Sequence, residues 1–235
     1  MITFGFSFVF PFLLVVVSLQ VLKGLFFGRL SGWATTLILC ALAAVITIVP
    51  VGGLSLGRWL ISFNANFSIP LTALLFSRVL KNACGIRLLD GNALLTCWIY
   101  SIITGAILYP MALGLGRFDP YEAGWDFSWF FAVVFLTTVA LLFMKNRFAV
   151  VLIVSVLAYN LHLLESTNLW DYLIDPFLVI VSGIALVAHF LRYVSRNGQA
   201  QGDSVSGPQG LCPGGNVDEV RTSQPEVPHE QVKNR

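Results

Sequence analysis

Two side chains have the types and spacing of reacting groups: His162 and, three residues on, Glu165. On a persisting helix that interval puts both on one face, where an imidazole and a carboxylate could exchange a proton or share a metal ion. A metal site takes three or four such ligands, and two at one spacing do not make one, so neither a metal nor a catalytic residue is assigned. A second group offers amides and hydroxyls: Asn64, Asn66 and Ser68 in the run Asn64-Ala65-Asn66-Phe67-Ser68-Ile69-Pro70, with Tyr109 and Asn160 further on. Such groups either hold a ligand by hydrogen bonds or tie neighbouring helices together at about 1 kcal/mol or less each. Gly52, Gly53 and Gly57 lack the lysine and hydroxyl of a phosphate loop and read as a turn. No cofactor is called for.

The elements that must position these groups are set by composition. Of 235 residues 57% are hydrophobic and 11% charged, with a mean hydropathy of +0.80; soluble domains carry about 25% charged residues. The charges fall in short gaps between apolar runs of membrane-spanning length, so the fold class is all-α, a polytopic membrane helix bundle. Nothing in this pattern supports nucleic-acid binding. Cys40, Cys84, Cys97 and Cys212 have neither metal-ligand spacing nor a place in an outer loop, and read as small apolar residues and a tail thiol.

The spans are read as 2–22, 33–51, an interrupted third within 52–87, 93–115, 127–144, 148–164 and 177–194. The first has no basic residue ahead of it and no cleavage site, and is expected to be retained with its N-terminus outside. In the third, Ser68 followed by Pro70 has the grammar of a helix start, and Leu56 to Phe63 must supply the remaining thickness as a short helix or an irregular piece. Tyr109-Pro110 predicts a kink late in the fourth span. Asp175-Pro176 predicts a capped start for the seventh. Ser101 with Gly105, and Ser182-Gly183 with Ala185, are faces small enough for close helix contact. Residues 1–196 form the bundle, and 197–235, rich in Gly, Pro, Gln and Ser, form a disordered cytoplasmic tail.

Charge bias orients the chain. If the interrupted segment crosses, Lys23, Arg29, Arg78, Lys81, Arg87, Lys145, Arg147, Arg192 and Arg196 share one side, leaving Arg58 and Arg117 on the other. If it does not cross, the bias is lost, so the positive-inside rule favours seven spans with the C-terminus in the cytoplasm. The outer face then carries an acidic surface of Asp119, Glu122, Asp126, Asp171 and Asp175, with Glu165 beside it and Trp59, Trp125, Trp129 and Trp170 at the boundary. At helical rise Asn66, Tyr109 and His162 reach heights of about 20 to 24 Å from the cytoplasmic side. Together with Asn64, Ser68 and Asn160 they could line an outward polar pocket, with Arg58 and Glu165 near its mouth. Arg58 lies at the positive end of a helix, so an acidic partner such as Asp119 or Glu122 is expected.

The final span, 177–194, has no lysine for a retinal Schiff base. No acidic residue sits at mid-membrane to carry protons or sodium. The sequence therefore points to a non-catalytic membrane subunit or binding component, in a plasma or bacterial inner membrane. Its expected partners are the bilayer and another membrane or outer-face protein. The alternatives are a transporter of a small solute or lipid-linked substrate that uses the broken span, and an enzyme acting on a lipid-linked substrate at the outer face.

Overall fold

The structure, a computed structural model, describes residues 7–26 and 32–205, with side chains as far as Ser195. The beginning of the first span, Arg29, the Arg196 side chain and the tail from residue 206 lie outside the described residues. Among the described residues helix accounts for 77% and strand for 2%. That is the economy a hydrocarbon environment demands, since a helix satisfies its own backbone groups.

The elements run α1 (Val9–Phe26), α2 (Trp33–Ile48), β1 (Pro50–Val51), β2 (Leu54–Ser55), α3 (Leu56–Phe63), α4 (Ile69–Cys84), α5 (Gly91–Pro110), α6 (Trp129–Phe143), α7 (Phe148–Asn160), α8 (Leu169–Leu173) and α9 (Pro176–Val205). Among the described residues three stretches are long and apolar enough to cross a membrane: Val9–Phe26, Gly91–Leu115 and Leu169–Ser195. Trp33–Ile48, Trp129–Phe143 and Phe148–Asn160 are shorter apolar helices. Large apolar side chains cover the outward faces, among them Phe135, Leu136, Phe143, Ile184 and Phe190. An apolar exterior on that scale suits lipid rather than water. The described residues as far as Arg192 make one compact unit, and Tyr193 to Val205, which are helical, belong to a second.

Local chemistry explains most boundaries. Gly52 and Gly53, both with positive φ, turn the hairpin that pairs Pro50 with Ser55. The third segment is interrupted where the sequence predicts: α3 ends at Phe63, and Ser68 caps α4 by accepting the Leu71 N–H. Gly85 closes α4 in the left-handed conformation. Pro110 cannot donate to the turn before it, and the chain continues as a π-turn over Met111–Leu115. Asp175 caps α9 through the Leu178 N–H at 2.9 Å.

Small residues let helices close up as expected. A Cβ on Gly105 would stand 2.6 Å from Val179 of α9, and Ser101 and Ser182 are fully buried. Three expectations are corrected. The sixth span does not stay helical to Leu164, because α7 ends at Asn160 and His162 adopts a left-handed backbone with φ of 47°. The loop between the sixth and seventh spans, 165–175, contains the short helix α8, whose Leu169, Tyr172 and Leu173 are fully buried and form part of the main core. Trp170 is not at a lipid boundary but 5% exposed, stacked on Phe130 at 3.9 Å.

A polar cavity at the helix break

The break between α3 and α4 is held from across the bundle. Ser68, itself fully buried, donates its backbone N–H to Asp175 Oδ2 at 3.0 Å. Asp175 is 3% exposed and belongs to the buried interior, not to the acidic surface where the sequence places it. Its two oxygens accept N–H groups at the starts of α4 and α9, so the positive ends of two helix dipoles face one carboxylate. Asn66 makes the second tie: its Oδ1 accepts the Glu165 and Ser166 N–H groups at 3.1 and 3.2 Å. Asn64 folds the break on itself, accepting the Asn66 N–H at 3.0 Å.

A second clamp closes over this one. Asp119 caps a 3₁₀ turn at Tyr121. From that turn the Pro120 carbonyl accepts Trp170 Nε1 at 2.8 Å, and the Tyr121 carbonyl accepts Asn168 Nδ2 at 2.9 Å. Tyr172 sits beneath, its hydroxyl bonded to Leu164 and Ser166 backbone groups. The segment after α5, the segment after α7 and the break thus meet at one end of the compact unit.

Between them lies a cavity of about 320 Å³. Its polar lining comes from Asn64, Asn66, Tyr109, Tyr121, Asp171 and Asp175, with Leu108, Ile174 and Pro176 as apolar walls. The Tyr121 hydroxyl donates to Asp171 Oδ2 at 3.0 Å. Burial, and then the Asp171 charge, push the Tyr121 phenol up to about 12, so it stays a proton donor at neutral pH. Two carboxylates and no basic side chain line the space, which suits a small cationic or hydroxyl-rich group.

The structure thus gathers Asn64, Asn66 and Tyr109 of the expected pocket and adds Tyr121, Asp171 and Asp175. Ser68 lies behind it, committed to Asp175 and to its cap. Arg58 is exposed on α3, Asn160 binds its own helix at the Val156 carbonyl, and His162 and Glu165 are exposed; none of the four lines the cavity. With α7 ended at Asn160, His162 and Glu165 do not share a helical face. Asp119 is half-buried as a cap, and Glu122 and Asp126 are exposed. Among the described residues no three His, Cys, Asp or Glu side chains are grouped to hold a metal ion. The sequence signal for Tyr121 is the Asp119-Pro120-Tyr121 turn, and for Asp171 the apolar run around it that buries α8.

Comparison with known protein families, curated proteins and solved structures finds no match.

Proposed function

We propose that this chain is a multi-pass integral membrane protein acting as a non-catalytic binding component, with the polar cavity at the break receiving a small cationic or hydroxyl-rich group. The observation that carries this reading is the division of labour among the polar residues. Ser68, Asn64, Asn66 and Asp175 accept backbone N–H groups and tie the break in place, while Tyr109, Tyr121 and Asp171 complete the frame of the space. A site built to bind needs a fixed frame of this kind.

The arrangement in the membrane is seven crossings with the third discontinuous, the N-terminus outside and the C-terminus in the cytoplasm. Support comes from contacts at the two ends. At one end Phe10 stacks on Phe67 and Gly57 packs against Thr47, alongside the ties already described. At the other, Gln20 meets Asn82, Asn146 Nδ2 donates to Thr96, Arg147 donates to the Arg87 carbonyl, and Trp98 approaches His189. Successive long helices therefore alternate in direction, with α3 against the outer ends of α1 and α2. The basic residues Lys81, Arg87, Lys145 and Arg147 collect at the second end, the one assigned to the cytoplasm. The other end, carrying the cavity and the acidic Glu122 and Asp126, faces outward toward another membrane or outer-face protein.

A second reading, transport of a small solute or lipid-linked substrate, is favoured by the half-helix start at Ser68 beside a cavity, as discontinuous spans place their sites. The enzymatic reading loses its paired acid and base, since His162 and Glu165 stand outside the cavity. Extraction of native membranes in mild detergent tests the first reading: a complex larger than the 25.8 kDa chain is expected, and a monomer alone overturns the subunit role. Labelling of Asn64→Cys by a membrane-impermeant maleimide, with the native cysteines replaced by serine, tests the cavity. Reaction in intact cells is expected, and reaction only after permeabilisation would reverse the orientation.

A further inference from the structure

A second and larger cavity lies on the flank of the bundle, away from the polar site. About 690 Å³ in volume, it is a groove between α1, α4 and α7, within the roughly 300–1,000 Å³ typical of ligand pockets. Its length comes from α7, where Val150, Val151, Val154, Leu157 and Ala158 repeat at helical spacing along one stripe that Leu161, just past the helix end, continues. Ile69, Ala73 and Phe76 of α4 form the facing wall, with Leu13 of α1 beside them. Thr72 bonds its hydroxyl to the Ser68 carbonyl and can turn its methyl to the groove. From Arg147 to Leu161 the groove rises about 21 Å, more than one leaflet of a hydrocarbon core about 30 Å thick.

One end differs from the rest. Arg87 and Arg147 line it, and among the described residues no acidic side chain lines any part of the groove. One N–H of the Arg147 guanidinium is spent on the Arg87 carbonyl at 2.8 Å, which draws α7 onto the 85–90 turn and fixes Arg147 at the groove's end. The acid of that turn, Asp90, is committed to capping α5 through the Ala93 N–H. Lys145 and Lys81 belong to the same end of the bundle and deepen its positive potential. An apolar channel as long as an acyl chain, ending at two arginine residues, matches a molecule with a long hydrocarbon tail and an anionic head. Arginine's fork suits phosphate in particular.

We propose that this groove is a specific site for an anionic phospholipid, with one acyl chain along α7 and the head-group phosphate at Arg87 and Arg147. The proposal rests on the membrane reading and on the end carrying these arginines, and is independent of the polar cavity. If that end is cytoplasmic, the lipid comes from the leaflet where anionic head groups draw basic residues.

The test uses the full chain in neutral detergent, titrated with phosphatidylglycerol, phosphatidylcholine or chain-free glycerol phosphate, with native mass spectrometry counting bound lipid and thermal unfolding reading its effect. Phosphatidylglycerol is expected to bind one-to-one and raise the unfolding temperature, while phosphatidylcholine and glycerol phosphate do neither. Arg87→Gln with Arg147→Gln is expected to weaken phosphatidylglycerol binding by about tenfold or more. Val154→Trp, at an exposed position in the groove, should block the site, and Val133→Trp, equally exposed on α6 outside it, should not. Equal binding of the two lipids, or retention by both groove variants, overturns the proposal. Crosslinking of Val154→Cys to a second copy or to a partner helix would also overturn it. Loss of the protein from the membrane fraction on alkaline washing would instead overturn the membrane reading beneath it.

Discussion

Asp175 and Ser68, 107 residues apart, meet at 3.0 Å, the carboxylate accepting the backbone N–H that opens α4 while also capping α9. A buried carboxylate is costly unless its lone pairs are filled, and here the donors come from two helix starts. Asp175→Ala leaves the Ser68 and Leu178 N–H groups without their acceptor and is expected to destabilise by about 2–6 kcal/mol, at about 1–3 kcal/mol for each orphaned donor. Asp175→Asn keeps one acceptor and should fall between. Thermal unfolding of the detergent-solubilised variants measures the order; equal stability of all three would mean that the carboxylate does not organise the break.

The polar residues of the break separate into frame and lining, and substitutions should separate likewise. Asn66→Ala removes the acceptor for two backbone N–H groups and is expected to cost about 1–2 kcal/mol. Tyr109→Phe deletes one hydroxyl at the cavity wall and should leave the unfolding temperature nearly unchanged while impairing recovery of the native complex or, on the transport reading, flux. His162→Ala and Glu165→Ala, both exposed and away from the cavity, should alter neither. A loss of activity in those two with normal folding would move the site to the segment after α7.

Much of this frame could be read from residue types alone. Ser68 before Pro70 and Asp175 before Pro176 are short-range signals, because capping and turn chemistry act within three or four residues. The interruption at Asn64–Ser68 was visible for the same reason. What could not be read was which long-range partner each polar group takes. Asp175 looks like any outer acid until the fold brings Ser68 to it, and Tyr121 pairs with Asp171 across 50 residues. Burial of Leu169–Leu173 was masked by the polar residues around it, which suggest a solvated loop although the apolar positions inside them form a core helix.

Gly105 offers a test of packing that leaves the polar site untouched. A Cβ there would stand 2.6 Å from Val179 Cγ2, whereas one at Gly183 meets Ile102 at an ordinary 3.6 Å. Gly183→Ala should therefore be tolerated. Gly105→Leu forces α5 and α9 apart and is expected to cost about 1–3 kcal/mol. Unfolding temperatures of the pair, measured in one detergent, check the contrast, and an unharmed Gly105→Leu would show that the two helices do not meet there.

The Tyr121 phenol carries a pH signature. Its ordinary value of 10.0 is pushed up to about 12 by burial and by Asp171, so the unfolded chain releases this proton first. Between those values the folded state binds more protons than the unfolded, and stability falls as pH rises. Absorbance of tyrosinate, taken as wild type minus Tyr121→Phe, should show a transition near 12. A difference spectrum titrating near 10 would mean that the Asp171 contact is not formed in the membrane protein.

Gln20 and Asn82 join α1 to α4 through a side-chain bond of 2.8 Å, from Asn82 Nδ2 to Gln20 Oε1, while Gln20 Nε2 is buried with no hydrogen-bond partner among the described residues. The bond therefore satisfies only part of what it buries. Asn82→Ala strips Gln20 of its partner and should cost about 1–2 kcal/mol. Replacing both residues by leucine removes the donors and acceptors together, and the cost should shrink toward zero because no polar atom is left behind. If the double variant is as unstable as the sum of the singles, the pair is not coupled, and the α1–α4 contact rests on the apolar packing of Leu13, Val16 and Val79 instead.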